Sequence, residues 1–359
     1  NLCPPPLIII NEYCRGFFMR KIFKSAFIIF FTLSIVLYSD KMSSAALEGL
    51  NLWMNTIVPS LFPFMVISSW LSFDFSEKPA FLDKVAFSLF GVPFRFMVLF
   101  PISILSGYPV GAKIISDLYV KKAISKDTAE HLLAFCNNPG AVFIISAVAS
   151  SMLADRGSAV FLIFICVFSS LATGVLFNFV FPAERYSEGN ISTASDTAIY
   201  TAISSAVGSI LLVGGCIIFF SVIAETISLF LSSQNPIVDT AISGLLEFTQ
   251  GIKKASALTP KLGYPIICAM LCWGGLSVHL QTAAIIGNCG IDIKKYIAGK
   301  AFCAATAYIS AVLFYDLFFP VGKSMEVFYE ISDSPSVFAA SSFLAAAIFL
   351  LIGEKKCRK

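Results

Sequence analysis

The side chains best equipped for chemistry are amides, hydroxyls and single charges set beside helix breakers. Lys113 follows Gly107-Tyr108-Pro109-Val110-Gly111-Ala112, and Asn137-Asn138 precede Pro139-Gly140. Ser277, His279 and Gln281 follow Gly274-Gly275. Each group interrupts an otherwise apolar segment. A break frees backbone groups, and lipid tolerates those only against protein or a water-filled cavity. Two carboxamides beside a freed helix end make a polar cup for a small solute, and a lysine there attracts an anion. The candidate solute contacts are therefore Lys113, Asn137, Asn138, Ser277, His279 and Gln281. Pro63, Gly107, Pro109, Gly111, Pro139, Gly140, Gly274 and Gly275 are the expected helix breaks or points of close backbone approach.

Plainer readings stand beside these. Lys113 can snorkel to an interface or pair with Asp117 four residues on. Asn137 and Asn138 can cap helices or hold them together. His279 is either a packing residue or a proton relay at membrane depth. His131, beside Glu130, reads as interfacial. Of the acidic residues Glu225, Glu247 and Asp316, Glu247 is the one expected to face a cavity. No HExxH, GxSxG or P-loop string occurs, so no enzyme, catalytic residue, cofactor or metal is expected. The ten cysteines form no CxxC pair, and most sit in apolar runs as small hydrophobes.

The elements that must carry these residues follow from composition. The chain is 57% hydrophobic and 13% charged, against about 25% charged in soluble domains. Residues 157–183 and 197–224 carry no charge, and a span needs about 20 apolar residues. The class is an all-α polytopic membrane protein of about eight transmembrane helices, some broken or re-entrant. Spans are expected at 25–39, 157–181, 199–224, 264–287, 297–319 and 336–352. Residues 44–57 read as an amphipathic helix running into breaks at Pro59 and Pro63, and 74–95 as a helix along the interface. Ser125 is set to cap a helix starting at Lys126. Basic residues flank both ends, which puts both termini in the cytoplasm, although Lys121, Lys122 and Lys126 fit a simple count of crossings awkwardly. Met19 reads as the natural start, with residues 1–18 an extension. The Lys24–Asp40 segment is a first span or signal anchor, or else a signal peptide ending near Ser43-Ser44-Ala45-Ala46. Net charge is only +3, with no basic aromatic patch, so nucleic acid is excluded as a partner. The lipid bilayer and a small anionic solute remain, with self-association open.

Two halves echo one another. At an offset of 140, Leu105–Leu118 aligns with Leu245–Leu258, with identities at Leu105, Gly111, Lys113, Ser116 and Leu118. Glu247 then stands opposite Gly107, and the Asn137-Asn138 break matches Gly274-Gly275 in order. Interrupted segments at corresponding places in two halves point to a transporter's binding site. The expected organisation is 1–43 as extension and first span, 44–181 as first repeat and 182–197 as linker. A second repeat at 198–320 and a final span with basic tail at 321–359 complete it.

Four strings, Pro59-Ser60-Leu61-Phe62-Pro63-Phe64, Leu105 to Lys113, Ala134 to Gly140 and Gly274 to Gln281, together resemble the YlbJ family. These are sporulation integral membrane proteins with a nucleoside-recognition Gate domain, also found in concentrative nucleoside transporters. The resemblance runs from about Met19 to the C-terminus. It implies two Gate-like repeats, a site in the outer forespore membrane, and transport of dipicolinic acid towards the forespore. The alternatives are a nucleoside-type transporter, or a non-transporting scaffold needed for spore assembly.

Overall fold

Helices are the only regular structure among the described residues of the computed structural model, which are 22, 24–70, 80–182, 198–231 and 235–320. The expected extension at 1–18, most of the 182–197 linker and the 336–352 span lie outside them. Among the described residues, six helices are long and apolar enough to cross a membrane, and a seventh crossing arises if a bent pair counts as one. The fold is thus a polytopic helical membrane protein.

Helix α1 (Lys24–Leu37) leads into α2 (Ser39–Leu52). A π-turn at Trp53–Ile57 joins α2 to α3 (Val58–Trp70). The amphipathic helix expected at 44–57 is thereby part of one span, Ser39–Ile67. Pro63 lies inside α3 and does not break it. Widening the turn just ahead of Pro59 absorbs the missing donor, and the Ser60 hydroxyl adds a bond to the Thr56 carbonyl at 2.7 Å. Of the interfacial helix expected at 74–95, residues 74–79 lie outside the described residues, and the rest forms α4 (Ala80–Phe90), which stops short of Arg95. It bends by 73° into Phe94–Ser106, whose last part is α5 (Leu99–Ser106).

Next comes α6 (Val110–Val120), which folds back on α5 so that Gly111 lies beside Ser103. α7 (Lys126–Cys136) is capped by Ser125, whose hydroxyl accepts the Thr128 N–H at 3.1 Å. After the Asn137–Gly140 break, the chain resumes as α8 (Ala141–Phe143) and a π-helical stretch, Ile144–Met152. α9 (Ser158–Val180) follows. The order then recurs: a long helix α10 (Ile199–Leu231), a folded-back pair α11 (Pro236–Leu246) and α12 (Phe248–Ala255), a broken helix α13 (Pro260–Trp273) and α14 (Gly275–Ile286), and a long helix α15 (Ile293–Phe318).

α9 shows why these helices need one another. It is apolar all round, with Phe164, Phe168 and Phe179 exposed as lipid requires. Its buried stripe carries Ser169, Ser170, Thr173 and Gly174, which lets α7 and α15 approach closely. α7, α9, α13 and α15 form one packed group, and α10 with α2 and α3 forms another. The folded-back pairs and the breaks lie where these groups meet.

Candidate functional site

Each break is a backbone contact that only small residues permit. Gly107 has φ +77°, and a Cβ there would stand 2.9 Å from the Gly140 nitrogen. The tip of the first folded-back pair thus rests on the break of the first broken helix. Gly275 has φ +73°, and its Cβ would stand 3.0 Å from the Leu246 oxygen and the Phe248 nitrogen. The second pair rests likewise on the second broken helix. Gly274, left-handed, caps the end of α13. Gly111 runs against the Cys136 carbonyl.

Tyr108, beside Gly107, joins the two systems. Its hydroxyl donates to the Leu271 and Cys272 carbonyls at 3.2 and 3.4 Å, where α13 ends and its carbonyls have no helical partner. On the other side Phe248, just past Glu247, packs on Phe143 of α8 and on Tyr108.

One cavity lies among all four breaks. Tyr108, Pro139, Gly140, Glu247, Thr249 and Gln281 line it, with Phe143, Phe248 and Val278. α10 supplies Val213 and Ile217 on the facing wall, and the α2–α3 span supplies Ile57 and Leu61. The cavity has about 30 Å³ of room, enough for roughly two waters. A ring-sized solute needs the walls to part.

Glu247 is fully buried. Its Oε2 accepts the Gln250 N–H at 2.9 Å, capping α12, and the Thr249 hydroxyl donates to it as well. Its Oε1 has no hydrogen-bond partner among the described residues. A half-satisfied buried carboxyl is uncommon in a folded protein and calls for a physical reason.

Lys300, on α15, is also fully buried. Its ammonium donates to Asn138 Oδ1 at 3.4 Å and lies 5.1 Å from the centre of the Tyr108 ring. Among the described residues no carboxylate pairs with it. A carboxamide oxygen and a ring face offset only part of the cost of burying a cation. Sequence reasoning passed over it, although a single lysine within the 297–319 span was the signal.

The expected solute contacts divide. Gln281 lines the cavity and donates to Ser277, which lies behind it, at 3.3 Å. Asn137 is a correction: its groups are spent inside the protein. Its Oδ1 accepts the Ala112 N–H at 3.3 Å, and its Nδ2 donates to Thr282 at 3.2 Å and Tyr296 at 3.1 Å. Asn138 is spent too, on Phe135 at 2.7 Å, Ser103 at 3.3 Å, Ser170 at 2.8 Å and Lys300. These carboxamides replace the backbone bonds lost at the break. His279 is buried between Trp273 and Tyr296, 4.3 and 5.2 Å between ring centres, and is absent from the cavity wall. Neither ring nitrogen has a hydrogen-bond partner among the described residues. Lys113 is a second correction. It is half-buried in a separate cleft with Met65, Ser69, Pro109 and Ser209, and it donates to Ser205 of α10. His131, expected at an interface, is buried and bonds the Phe181 carbonyl at 2.7 Å.

Compared with known proteins, the chain is 24% identical over 331 residues to the sporulation integral membrane protein YlbJ of Bacillus subtilis (strain 168), covering 80% of this chain and 81% of that protein. No family model matches the chain and no solved structure matches it, so the Gate-domain label rests on the motifs alone.

Proposed function

We propose that this chain, a member of the YlbJ family of sporulation integral membrane proteins, is a permease that carries a small anionic solute into the developing spore. On this reading it sits in the outer forespore membrane with both termini in the cytoplasm, and it does no chemistry on its cargo. The observation that carries the proposal is the convergence of four helix breaks on one cavity that α10 and the α2–α3 span wall on the facing side. Backbone breaks at membrane depth are costly, and their gathering at one place is what a binding site demands. These two walls would part to admit a solute larger than the present room of about 30 Å³.

Lys300 supports an anion as cargo. It is fully buried and, although not itself in the cavity wall, lies over the ring of Tyr108, which is. Dipicolinate, a small dianion, is the first solute to test. Purified protein in vesicles is expected to exchange labelled dipicolinate, and Lys300→Met to lose that exchange while the fold survives. Exchange of nucleosides but not dipicolinate would favour the second reading, a nucleoside-type transporter. That reading draws on the aromatic walls and on Glu247, whose free oxygen can accept a hydroxyl. Absence of flux for either solute, with spore assembly intact, would favour a scaffold.

A further inference from the structure

The cavity proposed to admit an anion is lined by a carboxyl group, and the two requirements conflict unless that carboxyl takes up a proton. We propose that Glu247 binds a proton together with the solute, so that the protein is a proton-coupled permease; the inference rests on the permease reading above.

Three observations carry it. Glu247 Oε1 is buried and without a hydrogen-bond partner, whereas Oε2 already receives Thr249 and Gln250. One free lone-pair edge suits a proton, which needs one oxygen. A sodium or calcium ion needs several oxygens, and Glu247 and Thr249 face each other rather than a common centre. Second, no cation pairs with Glu247 among the described residues. The other titratable groups on elements packed around it are engaged or set apart. Tyr108 bonds the α13 carbonyls. Lys254 of α12 is paired with Asp239 of α11, and Lys253 with Glu48 of α2. α13 brings Cys268 and Cys272 among apolar residues, along with Tyr264, which bonds Asp155, and Lys261, which pairs with Asp316. α14 brings His279, absent from the cavity wall. Cys216 and Glu225 of α10 are absent from it as well, and the π-helical stretch 144–152 has no titratable group. Third, Glu247 sits at the single-residue joint between α11 and α12. Its charge state therefore acts on a folded-back pair that must move for the cavity to open.

The physics is linkage. An ionised Glu247 repels an anion across a cavity of low dielectric, and a protonated one does not. Proton and anion then bind each other's state more tightly, and each raises the other's affinity by the same factor. Lys300, buried over the Tyr108 ring, supplies the attraction.

The test uses full-length protein in vesicles, with dipicolinate as probe and a pH-sensitive dye inside. The expected result is dipicolinate exchange at equal pH, accumulation driven by an inward proton gradient, and dye acidification that depends on dipicolinate. Glu247→Gln should lower gradient-driven accumulation, taken relative to the same variant's exchange at equal pH, by about tenfold or more and abolish acidification. Glu247→Asp, which retains a titratable group, should show dipicolinate-dependent acidification and a higher ratio of accumulation to exchange than Glu247→Gln. Exchange by the wild type without acidification, or accumulation driven by sodium alone, overturns the inference and leaves the permease standing. Unimpaired coupling in Glu247→Gln also overturns it. No dipicolinate exchange in the wild type overturns the anion-permease reading and this inference with it.

Discussion

Asn137 and Lys300 invert what their residue types suggest. The asparagine, set at a helix break, reads as a ligand but makes three internal hydrogen bonds, to α6, α14 and α15. Truncating it leaves buried groups unpaired, at about 1–3 kcal/mol each. Asn137→Ala is expected to lower the melting temperature of purified protein by about 3 °C or more, and any loss of flux should track that loss of folded protein. Gln281→Ala removes one cavity contact and is expected to raise the solute KM several-fold with the melting temperature nearly unchanged. Lys300→Met makes the opposite split. Replacing a buried charge by an apolar chain of similar volume is often neutral or stabilising, so stability should hold while anion affinity falls about tenfold or more. Equilibrium binding of dipicolinate beside thermal melting separates the three. If Lys300→Met unfolds the protein while Asn137→Ala spares it, the assignment of roles is reversed.

The elements were legible in the sequence to unequal degrees. Uncharged runs betray α9 and α10 because lipid admits no charge there. The Ser125 cap betrays the start of α7, because its hydroxyl has a fixed geometric task. Gly107, Gly140 and Gly275 mark real breaks, because a backbone contact near 3 Å leaves no space for a side chain. Pro63 misleads by the same logic, since a π-turn upstream repairs the helix in a way that local spacing does not encode. The cavity itself was half legible: Pro139, Gly140 and Gln281 belong to it, whereas Lys113 does not. Which side of a break faces the cavity depends on contacts between residues over a hundred positions apart, such as Tyr108 with Leu271. The Gly275 contact yields a test at this scale. Gly275→Ala would push a methyl onto the backbone of both Leu246 and Phe248 at a φ that alanine rarely adopts. The expected cost is about 1–3 kcal/mol, read as a lower melting temperature, with greater proteolytic exposure of the α11–α12 pair. Equal stability would mean that this pair sits looser on α14.

In the whole molecule, the cavity is bounded by α10 and the α2–α3 span on one side and by the folded-back pairs and broken helices on the other. A rocking permease must let these sides part, and exposed or half-buried polar contacts across the boundary are the ties to break. Lys113 of α6 with Ser205 of α10 is one, and Lys253 of α12 with Glu48 of α2 is another. Such ties contribute little to stability, about 0–1 kcal/mol, which suits contacts that open in every cycle. A Lys113→Cys, Ser205→Cys pair joined by a short methanethiosulfonate cross-linker should therefore stop solute exchange, and reductant should restore it. The Lys113→Cys single variant should exchange solute nearly as well as wild type, because Lys113 lies outside the cavity. Loss of exchange in that single variant would return the lysine to the role its sequence position suggests, the charge that meets the solute. Full exchange by the cross-linked pair would mean that α6 and α10 travel together and that the moving boundary runs elsewhere, with the contact between α12 and α2 the next to lock.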